Sequence, residues 1–148
     1  MRISKSKCRT ALGALWFLAG GGLFLFFVTQ TIVGRYQDKT NEAWAWFLPT
    51  IMPTLLLMIG AFAADAMNEQ DEKATVKPFF FVLSLGISLL YLIAVALTIL
   101  LQPYATSRGI PFWEVMKQSS LYLGPFQGLV AGDIGIFFVK ARDIPPTP

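Results

Sequence analysis

Four runs of apolar residues, each long enough to cross a bilayer, take up most of this chain, and they limit its fold more than any other feature. A hydrocarbon core about 30 Å thick needs about 20 apolar residues in a helix, which rises about 1.5 Å per residue. With no water in that layer, a span must satisfy its own backbone N–H and C=O groups. The runs cover about 10–33, 46–64, 79–102 and 119–139. They predict an all-α integral membrane bundle of four transmembrane helices. A single membrane domain covers 1–148, and a short interfacial helix precedes the last span. Only 14% of the 148 residues are charged, against about 25% in a soluble domain. No segment remains that would make a sizeable soluble core.

The last run, SSLYLGPFQGLVAGDIGIFFV, is unusually rich in small residues. Gly124, Gly128 and Gly132 recur every fourth position, with Ala131 and Gly135 on the adjoining face. Residues four apart stack on one side of a helix, so this side carries almost no side-chain volume. Lipid tails are as apolar as leucine, and helices associate among them by close backbone approach, which such stripes allow. The run is expected to be the packing centre of the bundle and the seam along which copies self-associate.

Asp133 follows the third of these glycines. An acid in a span costs about 2.5–3.5 kcal/mol on insertion scales and usually faces a bundle interior or a wet cavity. Three readings fit it: a protonated structural acid, a group lining a pore or proton-accessible cavity, or the partner of a basic residue. By helical rise, Asp133, Ser84 and Trp16 each lie about 10 Å inside the same boundary, so Ser84 or Trp16 is in reach as a donor. Gln127 and Gln30 share a depth nearer the other side and are expected to bond across helices.

The first run begins after Arg2, Lys5, Lys7 and Arg9. At about 24 residues it exceeds the 7–15 of a cleavable signal core, so it reads as a retained anchor. Gly20, Gly21 and Gly22 near its middle mark a crossing point with another backbone, or else a hinge. In the second run Pro49 is expected in the first helical turn and Pro53 as a kink that frees the Pro49 carbonyl. Thr50 and Thr54 stand close enough to help satisfy it. Trp44, Trp46 and Trp113 are expected as interfacial anchors, since indole rings favour the headgroup zone.

The loop at 65–77 holds Asp65, Glu69, Asp71 and Glu72 against Lys73 and Lys77. Its spacing matches no calcium-loop pattern. It reads as a solvated face, with a docking surface for a soluble or membrane protein partner as the sharper reading. Eight of the twelve Lys and Arg residues fall in the N-terminus, this loop and the C-terminus. The positive-inside rule then places both termini in the cytoplasm.

With no histidine and only Cys8, a histidine-based triad, a histidine-ligated metal or haem, and a dithiol redox pair lack their residues. Neither a metal nor a cofactor is expected. Cys8 reads as an unpaired cytoplasmic thiol, a weak signal for acylation. The net charge of +3 comes from cations beside the spans, so it implies the lipid bilayer as partner and not nucleic acid. The expected function is non-enzymatic: a self-associating inner-membrane protein acting as a pore-forming effector or as the membrane subunit of a larger system, for example one of the defence type. A small proton-coupled transporter using Asp133 is the alternative.

Overall fold

A computed structural model describes residues 3–66 and 75–138. It is a bundle of four helices: α1 (Lys5–Ile32), α2 (Thr40–Ala66), α3 (Pro78–Ser107) and α4 (Phe112–Phe138). Of these, α1, α2 and α3 are long and apolar enough to cross a membrane. The chain is a multi-span membrane protein whose outer surface contacts lipid. Helix α4 has the length, but Gln127, Asp133, Pro125 and its glycines dilute its apolar character.

Both hairpin turns at one end of the bundle use the same chemistry. Helix α1 stops where Gly34 takes φ +74°. The Gly34 N–H donates to the Thr31 carbonyl at 3.0 Å and the Arg35 N–H to the Gln30 carbonyl at 3.1 Å. Helix α3 repeats this at Gly109, φ +83°, with Gly109 donating to Thr106 and Ile110 to Ala105, both at 3.0 Å. These are Schellman closures, in which a left-handed glycine lets orphan carbonyls find donors. A Cβ at either position would be strained. At the other end, Pro78 starts α3 after an extended Lys77, where a missing N–H costs nothing. There two short strands, β1 (Ile3–Ser4) and β2 (Thr75–Val76), pair antiparallel with Ile3 opposite Val76. They tie the basic start of the chain to the entrance of α3.

The expected short interfacial helix before the last span is not a separate element. Residues 112–118 are the first turns of α4, which runs unbroken through Gly124 and Pro125. Phe112 follows Pro111 without a break, and no left-handed residue intervenes before the span. Helix α2 likewise begins at Thr40, so Pro49 and Pro53 both lie in its interior. Pro103 leaves α3 intact as far as Ser107.

Aromatic rings fill the core. Phe27 stacks on Phe47 at 4.3 Å and on Tyr36 at 4.9 Å, and Trp44 meets its edge at 5.1 Å. Deeper in the bundle, Trp16 stacks on Tyr91 at 5.9 Å, and Phe126 meets Tyr91 edge-on at 5.6 Å. The closest glycine approach is at Gly13, where a Cβ would come within 2.6 Å of the Phe62 ring. Cys8 is buried, so its thiol is not presented for acylation in this fold.

Candidate functional site

The proline-bearing helix anchors a polar cluster that runs from the buried Thr50 and Tyr91 to the bundle surface at Pro49. Pro53 has no N–H, so the Pro49 carbonyl loses its intrahelical partner. Gln127 of α4 supplies one: its Nε2 donates to the Pro49 carbonyl at 2.7 Å and to the Thr50 carbonyl at 3.2 Å. The Tyr91 hydroxyl of α3 donates to the same Thr50 carbonyl at 2.8 Å. Thr50 itself donates back to the Trp46 carbonyl at 2.7 Å. One stretch of α2 backbone thus ties three helices together. A turn or two nearer the glycine closures, Trp46 Nε1 donates to Ser119 Oγ at 2.9 Å, and Thr98 pairs with Tyr122 at 3.1 Å.

A second polar layer lies toward the strand-paired end. Trp16 Nε1, Thr54 Oγ1, Ser88 Oγ and Asp133 Oδ2 are buried with no hydrogen-bond partner among the described residues. Each comes from a different helix. Thr54 is one turn beyond Thr50, Ser88 just under one turn before Tyr91, and Asp133 under two turns beyond Gln127. Adjacent helices run in opposite senses, so all three offsets point the same way, by about 5–9 Å. Trp16, Thr54 and Ser88 are fully buried, whereas Asp133 is only half-buried. Buried groups left unsatisfied are expensive, and an unpaired carboxylic oxygen at such a depth can hold a proton. This layer is the candidate functional site.

The remaining expected site residues fall in varied places. Gly124, Gly128 and Gly132 are exposed on the outside of the bundle, while Ala131 and Gly135 are half-buried. Helix α4 packs inward through Leu123, Val130 and Ile134 instead. Gly20 is buried in ordinary contact with Ile51 and Leu55, whereas a Cβ at Gly21 or Gly22 would meet nothing. Ser84 is buried and bonds its own helix at the Phe80 carbonyl, 2.9 Å. Neither it nor Trp16 donates to Asp133. Gln30 and Gln127 do not meet: Gln30 Oε1 accepts from Arg35 at 2.9 Å. Trp113 stays exposed and Trp44 half-buried, but Trp46 turns inward. The partner surface expected at 65–77 lies largely outside the described residues.

Tyr91 and Ser119 were not expected as cross-helix partners. Tyr91's mid-span position was the available signal, since a phenol deep in hydrocarbon needs an acceptor. Gln127→Leu is expected to leave the Pro49 carbonyl without its donor. The loss should be about 0.6–2 kcal/mol, the range for interhelical bonds in membranes, read as a lower midpoint of unfolding in mixed micelles.

These features define a multi-span helical membrane protein with a polar cluster shared by its helices. In comparisons with protein-family models, curated proteins and solved structures, nothing matches this chain.

Proposed function

We propose that this chain is a non-enzymatic four-span membrane protein whose copies assemble through the glycine face of α4. It acts as a pore-forming effector or as the membrane subunit of a larger system. The observation that carries this reading is the outward ridge of Gly124, Gly128 and Gly132. A Cβ at any of them would meet nothing within 4 Å, so the fold of one chain has no use for glycine there. A second backbone packed close against α4 has, because small residues let helices approach in lipid. The bias of Lys and Arg toward the N-terminal, 65–77 and C-terminal segments supports a cytoplasmic location for both termini. The acid-rich 65–77 segment is then a cytoplasmic surface for a protein partner. The test is the mass of the particle in nanodiscs. A discrete multiple of the chain is expected; a single chain at every protein concentration refutes assembly.

The unpaired layer around Asp133 favours a second reading, proton-coupled transport. Under it, Asp133→Asn abolishes substrate-driven proton movement in proteoliposomes and leaves the particle mass unchanged. Under the first reading, transport is absent with either residue.

A further inference from the structure

The two glycine closures face each other across a cavity of about 680 Å³ at the end of the bundle away from the paired strands. That volume suits a small molecule or a headgroup. Its wall is built by both hairpins. From the first come Arg35, Tyr36 and Asp38; from the second and the end of α3 come Gln102, Phe112 and Trp113.

Three of these side chains have donors with nothing to donate to. Arg35 is half-buried and gives one N–H to Gln30 Oε1 at 2.9 Å, yet meets no carboxylate among the described residues. Gln102 is only 4% exposed. Its carbonyl accepts from Thr106, but its side-chain amide makes no hydrogen bond among the described residues. Tyr36 is 1% exposed, and its hydroxyl is buried without a partner. Burial pushes the phenol up to about 12 against a smaller opposing pull from Arg35, so it remains a donor throughout the neutral range. The ring is held rigid between Phe27 at 4.9 Å and Phe112 at 5.5 Å.

Other charges lie nearby, and Arg108, beside Gly109, is exposed. Lys39 pairs with Glu42 at 2.9 Å and lies 6.0 Å from the centre of the Trp113 ring. Asp38 is exposed and disfavours a second negative charge in the cavity. A guanidinium and an amide around one space form a set of donors for an oxyanion. The aromatic wall suits an apolar remainder.

We infer that this cavity binds a singly charged oxyanion, a phosphodiester or carboxylate, attached to an apolar body. Arg35 supplies the countercharge, with Gln102 as the neutral donor and the Tyr36 ring as part of the wall. A phospholipid headgroup and a soluble carboxylate share this chemistry.

The experiment uses the full chain in detergent, titrated separately with dioleoyl-phosphatidylglycerol, read by native mass spectrometry, and with benzoate, read by calorimetry. Arg35→Gln is expected to weaken binding by about tenfold or more, as loss of a charge-assisted bond does. Gln102→Leu, close in shape to the native residue, should weaken it by about threefold to tenfold, whereas Tyr36→Phe, whose hydroxyl is buried away from the cavity, should leave it unchanged. Circular dichroism and elution volume confirm that each variant folds. Variant-sensitive binding of the lipid alone assigns a phosphodiester headgroup. Variant-sensitive binding of benzoate assigns a soluble carboxylate. The inference is overturned if neither probe binds, if Arg35→Gln and Gln102→Leu match the native chain, or if Lys117→Gln, outside the cavity, weakens binding as much as Arg35→Gln.

Discussion

Phe27→Ala is expected to destabilise the fold by about 3–5 kcal/mol, the cost of truncating a fully buried aromatic. Phe27 has no exposed surface. It touches Phe47, Tyr36 and Trp44, with ring centres 4.3, 4.9 and 5.1 Å away. Lipid offers little hydrophobic driving force between helices, so most of this cost is lost packing. Phe47 belongs to α2 and Tyr36 to the turn between the first two helices, so the void would loosen that hairpin and one wall of the cavity between the glycine closures together. Reversible unfolding in mixed micelles measures it. Phe26→Ala is the comparison, because Phe26 is 37% exposed; its effect should stay within about 0.5 kcal/mol. Equal losses at the two positions would mean that the aromatic stack does not form the core.

Gly128→Leu is expected to separate copies without unfolding any of them. A Cβ at Gly128 meets nothing within 4 Å and the position is exposed, so an isobutyl group has room outside the bundle. Leucine is also a better helix former than glycine, which lies about 0.8–1 kcal/mol below alanine in soluble hosts. The single chain should therefore be as stable as before, or more so. A backbone packed against the ridge would be pushed away, weakening association by tenfold or more, equivalent to about 1.4 kcal/mol. Sedimentation in detergent reads the mass, and the unfolding midpoint reads the fold. A drop in stability with unchanged mass would place Gly128 inside the bundle and contradict the outward ridge.

The helices could be read from the chain because long apolar runs have one outcome in lipid. Their ends and partners were less legible. Gly34 and Gly109 are ordinary glycines in sequence, and only their left-handed φ values reveal two matching closures with a cavity between them. The freed Pro49 carbonyl was foreseeable from Pro53, but its partner was not. Gln127 is 78 residues away, and helical depth alone matched it equally well with Gln30. Trp46 shows why residue type misleads at a membrane boundary. Its neighbours favour an interface, yet the helical register turns its indole toward Ser119. The glycine stripe was visible as a stripe. Which way it faced depended on Leu123, Val130 and Ile134 taking the inward positions of the same helix.

Cysteine cross-linking at the ridge tests assembly through α4 most directly. In a Cys8→Ser background, Gly128→Cys should give a covalent dimer in native membranes under mild oxidation. Leu90→Cys, on the exposed side of α3, should not. Dimer from Leu90→Cys with none from Gly124→Cys, Gly128→Cys or Gly132→Cys would show that copies meet through another face, and equal dimer at all four positions would show only random collision.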